Sequence, residues 1–248
     1  KKKLTVYTLF IRMKKILKKF RRIYRTQQII RYFLFFIFLN NSKKLVDIHF
    51  KFMAIQGFQN QELFERSIGY FNNKPINIFE TGSSAKWGTN SSILFDSYIK
   101  KFGGSFITVD LRGEANNYLK KRFSKNSLSF VDDSINFIKS FENDFFKKVD
   151  LVYLDSYDLD INNPGPSMNH CLEEFLLLDK KIKTNSLVVI DDTPNEEAFN
   201  KYMKQHLRKN IDNFDFIPGK GSTVLQNSVM EKYEILYQFY GVILKKIK

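Results

Sequence analysis

The sequence predicts an α/β protein built on a doubly wound, mostly parallel sheet, and three observations carry that prediction. Short apolar segments that suit strands alternate with segments of helical length from residue 76 onward. A glycine-containing loop joins the first strand to the helix after it, and an acidic residue stands at the end of four strands. Alternation of this kind is typical of parallel strands joined by right-handed helical crossovers.

The predicted elements follow one another in a regular order. A helix is expected over 47–70, and a loop at 72–75 leads into the first strand. Five strands are expected at 76–80, 105–110, 128–131, 150–155 and 186–191. The helices that follow them are expected at 91–102, 114–123, 134–146, 168–182 and 196–208. The tail segments 214–217, 223–226 and 233–244 indicate the antiparallel end of the sheet.

Positive charge is concentrated at the start of the chain. Residues 1–51 contain 15 lysines and arginines and one acid, Asp47, whereas the rest of the chain contains 25 basic and 25 acidic side chains, so the net charge of +14 belongs to the first segment. We therefore divide the chain into a basic amphipathic helical extension, 1–44, and a catalytic domain, 45–248. A domain without excess positive charge is a poor match for phosphates, which disfavours nucleic acid as a partner.

Three roles are open for the basic extension, whose apolar residues recur at roughly helical spacing. Residues 1–39 could lie on an anionic membrane surface, the helix could pack on the domain or on a second copy of the chain, or it could bind RNA. Its apolar run at 32–39 is shorter than the ~20 residues that span a bilayer. The single cysteine, Cys171, is typical of a reducing compartment. We expect a cytoplasmic protein, peripherally attached to a membrane if the first role holds.

The loop after the first strand indicates a cofactor site. Gly82 and Gly88 allow the backbone to pass close to a ligand, and Asp110 ends the second strand, where a carboxylate can accept both hydroxyls of a ribose. The two glycines are six residues apart and do not form the G-x-G-x-x-G pattern of dinucleotide sites. The loop therefore favours a cofactor that has a ribose but no phosphates.

Acidic residues end four of the predicted strands: Glu80, Asp110, Asp155 and Asp191. Because the strands of a parallel sheet all end at the same edge, we expect these carboxylates to converge on one crevice. Each acid taken alone is also explained by a loop or by the cap of a helix. The joint pattern is harder to obtain in that way and predicts a site for chemistry.

Five runs of sequence carry a resemblance to a known family: FETGSSAKWGTNSS, ITVD, VDDS, VDLVYLDSYD and LVVIDDTP. In this order, within 76–226, they resemble the class I S-adenosylmethionine-dependent methyltransferases, and most of all the metal-dependent O-methyltransferases of the catechol and macrolide-sugar types. The resemblance implies a Rossmann-like methyltransferase fold with seven strands, and S-adenosylmethionine as the cofactor. It also implies the cofactor contacts: Glu80, Thr81, Gly82, Ser83 and Gly88 for the methionine part, Asp110 for the ribose, Asp133 and Ser134 for the adenine, and Asp155.

The same resemblance implies a metal site, because Asp155, Asp191 and Asp192 stand where that family holds a divalent cation. Carboxylates are hard oxygen ligands that suit Mg²⁺, Ca²⁺ or Mn²⁺, and Mg²⁺ is the expected ion. Such a cation would bind the acceptor hydroxyl and lower its pKa. The competing interpretation is that Asp192 only caps the helix that follows it.

The catalytic base is expected to differ from that of the catechol type. That type carries a lysine three residues after the acid of the fourth strand, where this chain has Asp158. His170, at the start of a helix, is the candidate base, with Asp155 as the second catalytic residue. An imidazole with a pKa near ~6.5 suits proton abstraction at neutral pH. Alternatively, His170 is a helix-start histidine held by a loop carbonyl.

The function expected from these residues is methyl transfer from S-adenosylmethionine to a hydroxyl of a small molecule or a sugar or glycan, assisted by a divalent cation. Two alternatives are open. The chain could be an inactive scaffold that keeps the cofactor fold, or a nucleic-acid methyltransferase that uses its basic arm. An NAD-linked oxidoreductase is disfavoured by the glycine spacing of the loop. The acceptor pocket is built from segments whose sequence does not identify the acceptor.

Overall fold

The computed structural model describes residues 39–84, 88–207 and 216–248, together with Thr26, Gln27, Ile30, Tyr32 and Phe36. Within this part of the chain the helices are α1 (Ser42–Phe52), α2 (Gln61–Gly69), α3 (Ser91–Phe102), α4 (Gly113–Lys120), α5 (Ser134–Ser140), α6 (Asn143–Phe146), α7 (Gly165–Asp179), α8 (Glu196–Ala198) and α9 (Ser222–Leu225). The strands are β1 (Ile76–Thr81), β2 (Gly104–Asp110), β3 (Ser127–Val131), β4 (Leu151–Leu154), β5 (Leu187–Ile190), β6 (Tyr233–Gln238) and β7 (Val242–Lys246).

The strands form one seven-stranded sheet in the order β3-β2-β1-β4-β5-β7-β6. The central strand β1 pairs in parallel with β2 on one side and with β4 on the other. Only β7 is reversed, because it runs antiparallel to both β5 and β6. The direction of winding changes between β1 and β4, and such a change opens a crevice at the carboxyl ends of the strands. The doubly wound, mostly parallel sheet predicted from the sequence is confirmed.

Apolar side chains cover both faces of the sheet. Phe64, Phe95 and Tyr153 are fully buried on one face, with their ring centroids 5.2 to 5.7 Å apart. On the other face Phe79 meets the ring of Phe146 edge-on at 5.0 Å. Neighbouring residues of a strand point to opposite faces, so the sheet separates two cores and is itself buried. This packing fixes the edge at which β1, β4 and β5 end.

The first predicted helix is divided in the structure. Instead of one helix over 47–70, α1 and α2 are separated by the 3-10 helix Ile55–Asn60. At Gly57 a Cβ would lie 3.1 Å from the backbone of Thr89, so the turn is pressed against the loop that precedes α3. The helix predicted over 196–208 is also shortened, because α8 continues into a π-helical turn and then a 3-10 turn.

Two further predicted elements differ from the structure. The helix expected over 134–146 is interrupted at Phe141, whose backbone is extended, and resumes as α6. The segment 223–226, expected at the antiparallel end of the sheet, is the short helix α9. The backbone N–H of Leu225 donates to the carbonyl of Gly221, so this segment satisfies its hydrogen bonds locally and not in the sheet. In the described part of the chain, the hairpin of β6 and β7 forms that end of the sheet, and the predicted segment 214–217 lies partly outside the described residues.

Most of the basic extension lies outside the described residues. The two aromatic residues that are described, Tyr32 and Phe36, contact the domain: the hydroxyl of Tyr32 donates to Ser97 Oγ at 2.7 Å, and Phe36 packs against the core beside α1. These contacts support the packing role for this part of the extension. The membrane and RNA roles, and the domain boundary at residue 44, stay predictions. In the described part of the chain, no helix combines the length and apolarity needed to cross a bilayer.

We expect Phe79→Ala to lower the free energy of unfolding by about 3–5 kcal/mol, because the substitution leaves a cavity beneath the sheet. Leu128→Ala is the matched control, since Leu128 lies on β3 and is 51% exposed. Its cost should stay below about 1 kcal/mol. Urea unfolding followed by circular dichroism measures both variants. Similar losses for the two would contradict the position of Phe79 in the core.

Candidate active site

Two adjoining cavities open at the carboxyl ends of the strands, where the winding of the sheet reverses. The larger cavity has a volume of about 800 Å³ and the smaller one about 190 Å³. Three residues line both: Gly82, Arg112 and Asp158. Five acids line the larger cavity: Glu114, Asp155, Asp158, Asp191 and Asp192. Arg112 is the one basic side chain among its described lining residues, so this cavity is acidic.

The loop after β1 is held against the neighbouring strands. Gly82 has φ at 80°, and a Cβ there would lie 2.1 Å from the carbonyl oxygen of Asp155, so no other residue fits. The hydroxyls of Ser83 and Thr108 form a 2.7 Å hydrogen bond that ties the loop to β2. Gly82, Ser83 and Gly88 all line the larger cavity. The structure therefore brings these three predicted cofactor contacts together.

Glu80 and Thr81 do not line either cavity. The carboxylate of Glu80 is fully buried and accepts hydrogen bonds of 2.5 Å from the hydroxyls of Ser91 and Ser92 at the start of α3. Burial raises the pKa of Glu80 from 4.5 to about 7, although these hydrogen bonds act to lower it. The hydroxyl of Thr81 donates to Glu174 at 3.3 Å. Both residues support the loop from behind, and their contact with the methionine part of a cofactor stays a prediction.

Asp110, the predicted ribose ligand, lies at the end of β2 and is engaged by Arg112. The guanidinium donates to the two carboxylate oxygens at 2.9 Å from Nε and 2.6 Å from Nη2, and the backbone N–H of Arg112 adds a contact of 2.6 Å. Nη2 also donates to the carbonyl of Ser83 at 3.1 Å. Because Arg112 lines both cavities, a ribose bound at Asp110 would have to share these hydrogen bonds or displace them.

Asp133, Ser134 and His170 come together in the smaller cavity. Asp133 caps α5 by accepting the backbone N–H of Asn136 at 2.9 Å. The hydroxyl of Ser134 lies 3.0 Å from Nε2 of His170, and the hydrogen bond between His170 and Glu174 raises the pKa of the imidazole. His170 does not line the larger cavity. That His170 removes the proton of the acceptor hydroxyl stays a prediction, and its position outside the larger cavity does not favour this role.

A buried lysine occupies the space between two of the predicted metal ligands. Nζ of Lys220 contacts Oδ1 of Asp155 and lies 3.3 Å from Oδ2 of Asp192, and the side chain is 3% exposed. Burial acts to lower the pKa of Lys220, but the carboxylates around it raise that pKa well above its usual value, so the ammonium is charged. Burial raises the pKa of Asp155, and Lys220 opposes that rise.

The third predicted metal ligand, Asp191, faces other partners. Its carboxylate accepts the hydroxyl of Tyr153 at 2.7 Å and the amide nitrogen of Asn60 at 3.0 and 3.3 Å. Burial raises the pKa of Asp191 to about 6. Because an ionised carboxylate only accepts hydrogen bonds, Asn60 must turn its nitrogen toward Asp191. Among the described residues, Oδ1 of Asn60 and the hydroxyl of Thr89 then have no partner, although both residues line the larger cavity.

These contacts do not form the predicted cation site. In the described ranges, no three His, Cys, Asp or Glu side chains converge as a metal site. Lys220 stands between Asp155 and Asp192, and neighbouring donors engage the oxygens of Asp191. As arranged here, this donor set does not fit a divalent cation, and the three-carboxylate Mg²⁺ site stays a prediction. Asp192 is not the cap of the next helix either, since Asn195 caps α8.

The sequence interpretation misses Lys220, Arg112 and Asn60. The lysine is far from the strand-end acids along the chain, and only its position between Gly219 and Gly221 marks a tight turn. Arg112 follows Asp110 by two residues, which is a usable signal for an ion pair. Asn60 carries no such signal, because its role depends on a contact with a residue 131 positions away.

The fold is shared with solved methyltransferase structures. The chain is similar to the MycE methyltransferase of the mycinamycin biosynthetic pathway, solved with Mg, SAH (S-adenosylhomocysteine) and mycinamycin VI, with 14% identity, a TM-score of 0.51, and coverage of 76% of this chain and 50% of that one. The N-methyltransferase NodS from Bradyrhizobium japonicum WM9 has 11% identity, a TM-score of 0.47, and coverage of 78% and 97%. A methyltransferase from Methanosarcina mazei has 14% identity, a TM-score of 0.45, and coverage of 73% of this chain and 96% of that one.

This chain therefore has the class I methyltransferase fold, as the resemblance implies. It spans about half the length of MycE. No family model matches the sequence, and no curated protein sequence matches it. At this level of identity the comparisons establish the architecture alone, and the activity has to be argued from the residues of the crevice.

Glu80 makes the stability of this crevice depend on pH. A carboxyl whose pKa is raised on folding stabilises the protein below its unfolded pKa of 4.5, and that contribution is lost as the pH rises through about 7. Glu80→Gln removes the titration, so between about pH 5 and about pH 8 it should gain roughly 2–3 kcal/mol relative to the wild type. Chemical unfolding of both proteins across this range measures the difference. A constant difference in stability would show that Glu80 does not titrate there.

Proposed function

We propose that this protein binds S-adenosylmethionine and transfers its methyl group to a hydroxyl of a small molecule or sugar. The observation that carries the proposal is the pair of cavities at the winding reversal, which share Gly82, Arg112 and Asp158 and are lined by hydrogen-bond acceptors. The class I methyltransferase fold supports the same cofactor. The groups that face the larger cavity support methyl transfer to oxygen.

The residues present fit the cofactor in three places. Asp110 would hold the ribose, and Asp133 with Ser134 would line the adenine in the smaller cavity. The loop of Gly82 and Ser83 would carry the methionine part in the larger cavity, where the close contact of Gly82 with β4 brings the backbone to the ligand. Asp155 lines that cavity too and would lie near the same part of the cofactor.

The charge of the larger cavity suits this cofactor. Five acids and one arginine line its described walls, and a cavity of one sign attracts ligands of the opposite charge. When bound, S-adenosylmethionine supplies an electrophilic methyl group, which the acceptor oxygen takes as its proton leaves and the C–S electron pair stays on sulfur. The sulfonium that precedes this transfer is a cation, so the acids favour it over the uncharged sulfur of the product.

The proton released from the acceptor hydroxyl needs a base at the cavity wall. Asp192 is placed for this role, because it lines the larger cavity with a side chain that is 24% exposed. The backbone of Asp192 has φ at 45°, in the left-handed region. Strained conformations of this kind cluster at functional sites.

The volume of the larger cavity and the basic extension bear on the acceptor and on the location of the reaction. MycE was solved with mycinamycin VI, and this supports a small-molecule acceptor for the present chain. A cavity of about 800 Å³ leaves room for an acceptor beside the methionine part of the cofactor. The basic extension would place the enzyme at an anionic membrane surface, next to a glycan or lipid-linked acceptor, or would join two copies of the chain.

Asp110→Ala should weaken the binding of SAH at least about tenfold, because the ribose hydroxyls lose a charged acceptor. Asp144→Ala is the control, since Asp144 is 80% exposed and pairs with Lys147 on the surface. Calorimetric titration with S-adenosylmethionine and SAH measures both variants and the wild type. Failure of the wild type to bind either ligand would refute the methyltransferase proposal. Binding without turnover on any acceptor would instead favour the inactive scaffold.

Asp192→Asn should lower kcat by about 10²–10⁴ and leave the affinity for SAH nearly unchanged, because it removes the base but keeps the shape of the side chain. Glu114→Gln is the matched control, an exposed acid on the wall of the same cavity. Release of SAH with an acceptor found by screening measures the rate. Full activity of the Asp192 variant would assign the base elsewhere, and loss of activity in His170→Gln with an unchanged KM for cofactor would return it to His170.

A further inference from the structure

The acids of the crevice have a charged partner inside the protein. The ammonium of Lys220 contacts Asp155 and lies 3.3 Å from Asp192, and the residue as a whole is 2% exposed. Carboxylates crowded together without a cation repel one another, and each would then favour its protonated form. An ammonium in contact with two of them relieves that repulsion. It thereby does the electrostatic part of what a bound metal would do.

The backbone around Lys220 is anchored as firmly as its side chain. The N–H of Lys220 donates to the carbonyl of Asp192 at 2.8 Å, and the N–H of Gly221 donates to the hydroxyl of Thr193 at 2.9 Å. A Cβ at Gly219 would lie 2.8 Å from the same carbonyl of Asp192, so the turn packs directly on the segment after β5. This close fit holds the ammonium between the two acids, and the side chain has little room to leave.

A divalent cation would have to break several contacts to enter. It would displace Lys220 from Asp155 and Asp192, and it would compete with Tyr153 and Asn60 for the oxygens of Asp191. Removing a charged lysine from a buried site is costly unless its partners follow it. These contacts therefore favour the lysine over the metal.

We propose that the Lys220 ammonium takes the place of a divalent cation in this crevice, so that cofactor binding and methyl transfer proceed without a metal. This inference rests on the proposed function for the transfer step but not for the metal-binding measurement. Lys220 is a positioning residue: it does not line the larger cavity, and it acts by holding Asp155 and Asp192, which do. Cofactor binding and methyl transfer by this chain should then be unaffected by chelators.

The test is a titration of the full-length chain with Mn²⁺, followed by electron paramagnetic resonance, in the wild type and in Lys220→Met. Methionine keeps most of the side-chain volume and removes the charge. The wild type should show no binding at millimolar Mn²⁺. Lys220→Met leaves the acids without a cation and should bind Mn²⁺ with a Kd at least about tenfold below that limit. Addition of Asp192→Asn to that variant should remove the gain.

Lys232→Met is the matched control, because Lys232 also pairs with a buried acid, Asp179, which keeps a second partner in Lys246. This variant should bind Mn²⁺ no better than the wild type. If Lys220→Met does not fold, the wild type decides, since its affinity for SAH should be the same in EDTA and in Mg²⁺. A single Mn²⁺ site in the wild type that Asp192→Asn abolishes would overturn the inference. Loss of SAH binding in every condition would refute the proposed function and leave the Mn²⁺ result standing.

Discussion

Buried carboxylates at one edge of the sheet are the constraint on which this structure depends, because an acid removed from water must be matched by donors. Four strands end in such acids, and each acid has its own solution. Two serine hydroxyls from the start of α3 satisfy Glu80. A guanidinium satisfies Asp110, an ammonium satisfies Asp155, and a tyrosine with an asparagine satisfies Asp191. The donors come from five separate segments, so the crevice is assembled only when the whole domain folds.

The same requirement decides which acids are available for chemistry. Glu80 and Asp191 are surrounded by neutral donors, and burial raises the pKa of each, which identifies them as supports for the loop after β1 and for Asn60. Asp110 is held by a guanidinium that is 64% exposed, so a ligand can compete for it. Asp192 keeps part of its surface in the larger cavity while the ammonium of Lys220 holds it from behind. Whether a ligand can reach an acid therefore depends on the donor that is bound to that acid.

Local and periodic features of the sequence predicted the sheet and the cofactor loop. The buried runs of β1, β4 and β5, the acids that follow them, and the glycine at position 82 all depend on neighbours along the chain or on the common edge of parallel strands. The sequence did not indicate a lysine among these acids, because spacing cannot show which side chain reaches a site from a distant part of the chain. Lys220 lies 65 residues from Asp155, and that contact is set by the packing of the turn on the segment after β5.

An ammonium and a metal ion differ in what they leave for the other residues to do. A divalent cation can bind the acceptor oxygen and lower the pKa of its hydroxyl, whereas an ammonium enclosed behind two carboxylates reaches only those carboxylates. Under the proposed function, orientation of the acceptor then comes from the polar side chains that line the larger cavity. Under the same proposal, Asp192 removes the proton. A hydroxyl bound to a metal ion loses its proton more easily and has less need of a protein base. Because Lys220 does not reach the acceptor, the crevice needs a carboxylate as the base.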